Sequence, residues 1–119
     1  MVVFIIVLAS ILFDIITGIL QALYNHTLDS EVLRKGLFHK LSEILALAFG
    51  WGIEFAIAYL EIGVEIPILT GVAAYIFIME AVSIIENLCN INPRLLKFFA
   101  PYLKKYKNEL EENNADLRN

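Results

Sequence analysis

The chain has 119 residues, a formal net charge of −4, 59% hydrophobic and 18% charged residues, and a mean hydropathy of +0.69. That length holds one domain, and the hydropathy lies above what a water-soluble domain of this size carries, so the composition indicates a membrane protein. The acidic balance offers no footing for nucleic acid, and a single cysteine, Cys89, excludes an intrachain disulfide.

Residues Val2 to Tyr24 form the first of three apolar stretches. It is long enough to cross a bilayer, which needs about 20 mostly apolar residues. No basic segment precedes it, no small-residue cleavage site follows it, and Asp14 lies inside it, so it reads as a retained span rather than a secretory signal. Ser10, Asp14, Thr17, Gly18, Gln21 and Asn25 recur at spacings of three and four, which places them on one helical face opposite Ile, Leu and Phe. Asn25-His26-Thr27 and Asp29-Ser30 then read as a turn, with Asp29 or Ser30 available to cap the next helix. His26 reads as a solvated turn residue.

The second stretch runs from Gly36 to Leu60 and carries Lys40, Glu43 and Glu54. Ala48, Gly52 and Ala56 make one track of small residues, and Ala46 with Gly50 another, a pattern that lets helix backbones approach closely. His39 reads as an interfacial side chain, one turn from Glu43. The third stretch, Ile66 to Cys89, has Pro67 suited to its first turn and a polar set, Glu80, Ser83, Glu86, Asn87 and Asn90, at helical spacing. An ionisable group at membrane depth costs about 3 kcal/mol or more, so such groups face a neighbouring helix or water and mark function. Lys40 is the only base deep enough to compensate several acids. One small bundle has little room for so many polar groups, and self-association is the economical way to hide them. Helix glue and pore lining both remain open as roles for Asp14, Glu80 and Glu86.

After Asn92-Pro93, a cap followed by a helix-initiating proline, the chain becomes amphipathic. Leu95, Phe99, Tyr102, Leu103, Tyr106 and Leu110 fall on one stripe, with Arg94, Lys97, Lys104, Lys105 and Lys107 largely off it, and Pro101 is expected to kink the helix. Such a helix lies on the inner leaflet with its bases near anionic lipid. The expected organisation is a three-helix transmembrane domain over residues 1–92, an amphipathic helix over 93–112 and a polar tail over 113–119. The fold class is an all-α membrane protein, oligomeric. Bases flank the spans at 34–40 and beyond 93, whereas Glu61 and Glu65 alone occupy the connection between the second and third. The positive-inside rule therefore puts the C-terminus in the cytoplasm and the very short, uncharged N-terminus outside.

Asp14-Ile15-Ile16-Thr17-Gly18 resembles a D-x-x-T-G signature, followed by Lys35-Gly36-Leu37 and Lys40. Glu80-x-x-Ser83-Ile84-x-Glu86-Asn87 is similar to an E-x-x-S-I-x-E-N element, with Pro93 and Leu96 in a proline-containing exit. Together, over roughly residues 10 to 100, these resemble the toxin-secretion and phage-lysis holin family of small clostridial-type holins. The resemblance implies a protein that accumulates in the bacterial cytoplasmic membrane, oligomerises with copies of itself and opens lesions that release an endolysin or a toxin. A regulated ion or proton channel would use the same acids, while a membrane adaptor or a holin inhibitor would not permeabilise. No nucleophile, base and orienting group recur at useful spacing, and no metal-ligand spacing or phosphate-cradling loop occurs, so neither an enzyme nor a cofactor is expected.

Overall fold

The computed structural model describes residues 1–102, 104, 105 and 108. Three helices follow one another: α1 (Val2–Tyr24), α2 (Ser30–Tyr59) and α3 (Ile68–Ile91). Each is long and apolar enough to cross a membrane. Leu103, Tyr106, Lys107, Leu110 and the expected tail at 113–119 lie outside the described residues.

α1 has the bounds its apolar run predicts. α2 begins at Ser30, six residues before the expected Gly36, because Asp29 caps it: the Asp29 side chain accepts a hydrogen bond from the Glu31 amide at 2.9 Å. Its 30 residues span about 45 Å, against a hydrocarbon thickness of about 30 Å. The excess matches the exposed first three turns or so, residues 30–39, where Lys35 and Glu31 pair at 3.9 Å. Between α2 and α3 the chain turns through Glu61 and Gly63, both in the left-handed region at φ 52 and φ 80, which glycine reaches without cost. Pro67 stands at the N-cap of α3, one position before the expected first turn.

α3 is the central element. It packs along α1 and, less extensively, along α2, while α1 and α2 scarcely touch. Val7, Ile11, Leu47, Ala73 and Ile76 form an apolar core, flanked by Val3, Phe4, Ile15, Leu69 and Val72. This core fills the half of the bundle that holds the start of α1 and of α3. The outer faces are apolar and open, with Leu12, Phe13 and Leu20 on α1 and Phe49, Phe55 and Tyr59 on α2 more than half exposed. A helix surface of this kind is in balance with lipid tails rather than water.

The small-residue tracks on α2 behave differently from expectation. Gly50 is buried, and a Cβ there would meet Ile68 Cγ2 at 3.5 Å and the Leu69 backbone at 3.7 Å, ordinary contact distances, so this glycine lies on the face that α3 covers. Ala46, Ala48 and Ala56 are exposed, and Gly52 has nothing within 4 Å of such a Cβ. Spacing alone did not reveal which small face is covered, because α3 meets α2 along one side only.

Candidate functional site

In the other half of the bundle the core is polar. Asp14 on α1, Lys40 on α2 and Glu80 on α3 converge, with the Lys40 ammonium donating to Asp14 Oδ2 and to Glu80 Oε1 and Oε2, the latter two at 2.7 and 2.5 Å. All three ammonium protons have an acceptor. Asp14 is 6% exposed and Glu80 1% exposed, so the attraction acts out of water, where charge-assisted hydrogen bonds are strong and an unpaired charge is costly. This one cluster ties the three spans together, and it makes the main link between α1 and α2.

Asn87 completes the junction two turns along α3 from Glu80. Its Nδ2 donates to Asp14 Oδ1 at 3.0 Å and to Thr17 Oγ1 at 3.1 Å, while the Thr17 hydroxyl donates to the Asp14 carbonyl at 3.1 Å. Asp14 therefore has partners on both carboxylate oxygens and on its backbone. Gly18 faces this arrangement, where a Cβ would stand in ordinary van der Waals contact, 3.6 Å from Asn87 Nδ2. Ser83 stands beside Asp14, and Gln21 continues the half-buried stripe of α1.

Glu43 extends the cluster sideways. Its Oε1 lies 3.3 Å from His39 Nε2, its Oε2 is buried without a hydrogen-bond partner, and the carboxyl group stands beside Glu80. The charged cluster thus holds three acids and one lysine, with the exposed His39 at its edge.

Two further acids of the spans stand apart from this junction. Glu86 is exposed and lies about 120° around α3 from Glu80, so it does not join the cluster. Glu54 lies at the opposite end of the bundle, where its Oε1 accepts from the Leu69 amide at 2.9 Å. Pro67 brings no side-chain acceptor to the first turn of α3, and Glu54 supplies one from α2. The missing cap at Pro67 was a sequence signal for an external acceptor, but nothing in the order of residues names Glu54.

A cleft of about 340 Å³ separates the end of α1 from the start of α2. It is lined by the α1–α2 connection at Thr27, Leu28 and Asp29, by apolar side chains of both helices, and by Asp14, Lys40, Ser83 and Asn87. Asp14, Thr17, Lys40, Glu80 and Asn87 satisfy one another within a single protomer, whereas Glu86 and Asn90 of the same polar set on α3 stay exposed. The arrangement can hold three helices in register and can release net negative charge when it opens.

A family model described as the bacteriophage holin family matches residues 1–108. No curated protein and no solved structure matches the chain.

Proposed function

The chain belongs to the bacteriophage holin family and is a membrane protein, and from that premise we propose that it forms holes in the bacterial cytoplasmic membrane, its buried charge cluster acting as the latch of the closed state. The observation that carries the reading is the three-helix junction at Lys40, which satisfies Asp14 and Glu80 inside one protomer. In this state the polar side chains do not face lipid, so subunits can accumulate without leakage. If α1 swings away from α2 and α3, the carboxylates become available to water, and a ring of such faces lines an aqueous lesion. Each added subunit contributes a further polar wall, which makes opening cooperative. Depolarisation favours the change to the extent that these charges move through the field, at about 2.3 kcal/mol per charge per 100 mV.

The cleft between α1 and α2 supports the same direction of opening. α1 and α2 scarcely touch apart from the Asp14–Lys40 bridge, so that side opens at little apolar cost, and the more extensive α1–α3 seam is the contact that holds the closed state. A lesion wide enough for a folded protein would release an endolysin or a toxin. Induced cells in which potassium efflux is followed by release of a folded cytoplasmic enzyme are the expected result; efflux without enzyme release would instead identify a small-solute channel.

Orientation follows from the two ends of the bundle. The pairing of late α1 and late α3 with early α2 places Arg34, Lys35 and Arg94 at one end, while Glu61 and Glu65 stand at the other. The basic end is proposed to face the cytoplasm. A cysteine at Val64, in a chain whose buried Cys89 is replaced by alanine, is expected to react with an impermeant thiol reagent added outside the cell. Labelling confined to the cytoplasmic side would reverse the topology.

A further inference from the structure

The segment beyond α3 is not used by the latch. Asn92 leaves the helix in an extended conformation, φ −130 and ψ 94, and its Oδ1 accepts from the Arg94 amide at 3.2 Å, so one residue both ends α3 and begins a new helical run over residues 94–102. With only Asn92 and Pro93 between a membrane-spanning helix and this run, the run starts at the depth of the lipid headgroups.

Around its axis the segment divides cleanly. Phe98, Tyr102, Leu95, Phe99 and Leu96 fill one arc. Arg94 and Lys97, followed by the helical and exposed Lys104 and Lys105, fill the other. Within the apolar arc Leu95 and Phe99 are half-buried, whereas Leu96 is 48% exposed and Phe98 and Tyr102 are each 66% exposed. Phe98 touches Phe99 edge-on at 5.0 Å and Tyr102 at 6.4 Å, so the aromatics form one continuous patch. Three large exposed side chains at headgroup depth, bordered by four cations, do not match water, and they do not match a neutral surface equally well.

We propose that residues 94–102 with Lys104 and Lys105 form a docking surface for an anionic bilayer leaflet, with Phe98 and Tyr102 entering the acyl boundary and Arg94, Lys97, Lys104 and Lys105 contacting acidic headgroups. Charge complementarity selects the occupant. The same end of the bundle also exposes Arg34 and Lys35, which extends the basic surface onto the start of α2. The inference rests on the membrane location alone and holds whether or not the protein opens holes.

The test uses the full chain with Trp51→Phe and Phe98→Trp, reconstituted into vesicles of phosphatidylcholine with or without phosphatidylglycerol, and reads tryptophan quenching by lipids brominated on the acyl chains. Quenching is expected to be about threefold stronger with phosphatidylglycerol and to lose that advantage in about 1 M salt. Replacing Arg94, Lys97, Lys104 and Lys105 by glutamine should remove the difference while the bundle remains inserted, as judged by its helical circular dichroism. Equal quenching in both lipids, with the cations present at low salt, overturns the assignment to anionic lipid. Absence of quenching in both would show that the aromatic patch packs against protein instead. Permeability is not read, so a failure here is distinct from a failure to form holes.

Discussion

Replacing Lys40 by methionine is expected to destabilise the closed bundle by about 3–5 kcal/mol, the cost of removing one partner from a buried ion pair. The methionine fills most of the lysine stem's volume, so the loss is electrostatic rather than a packing defect. Asp14 and Glu80 would then face each other on α1 and α3 with no ammonium between them, and relief comes only from protonation, from water entering the cleft, or from separation of the helices. Separation is the movement that opens the latch. The variant should therefore unfold at lower denaturant in detergent micelles, and cells producing it should begin potassium efflux earlier than cells with the parent chain at equal membrane abundance. An unchanged onset together with a clear loss of stability would make the cluster structural glue and remove it from the timing of opening.

Neutralising the three groups that meet at the Lys40 junction is expected to do the opposite. With Asp14→Asn, Lys40→Met and Glu80→Gln combined, the junction carries no charge in the closed state, and Glu43 remains at the edge beside His39. Replacement of a complete buried ion cluster by neutral side chains is often neutral or stabilising by about 1–4 kcal/mol. Asn87 and Thr17 can still bond to an amide at position 14, so the α1–α3 seam keeps its hydrogen bonds. What is lost is the hydration that carboxylates gain on exposure. The triple variant should insert, withstand denaturant as well as the parent or better, and delay permeability greatly or abolish it. Stability and onset would then move in opposite directions across the two variants, which a static fastening does not require. If the triple variant lysed cells on the parent's schedule, the lesion wall would have to be built from other residues.

How much of this was legible beforehand differs by residue. The polar face of α1 was readable because Asp14, Thr17 and Gln21 share a helical period, and Lys40 stood out as the only base within reach of several acids at depth. That one ammonium reaches both Asp14 and Glu80 was not readable, since it depends on α3 lying between the other two helices. Glu86 illustrates the limit. It shares a motif-like string with Glu80 and Asn87, yet six residues of helix turn it away from the face that α3 presents to α1. Glu54 is a further case, because its carboxylate serves the start of a helix 15 positions later in the chain.

By itself the sequence determined that this protein has three helices able to cross a membrane, where α1 lies, that Asp29 or Ser30 was available to cap α2, and that ionisable groups sit at membrane depth. Those properties follow from apolar run length, capping chemistry and helical period, all of which are local along the chain. Only the tertiary structure decided that the polar seams of α1 and α3 close on each other inside one protomer, that Gly50 rather than Gly52 receives a neighbouring helix, and that Glu54 caps α3. The reason is that hydropathy cannot orient helices in an apolar solvent: lipid tails accept an exposed leucine as readily as another helix does. Which faces meet is set by a few hydrogen bonds, close contacts and charges acting between distant parts of the chain.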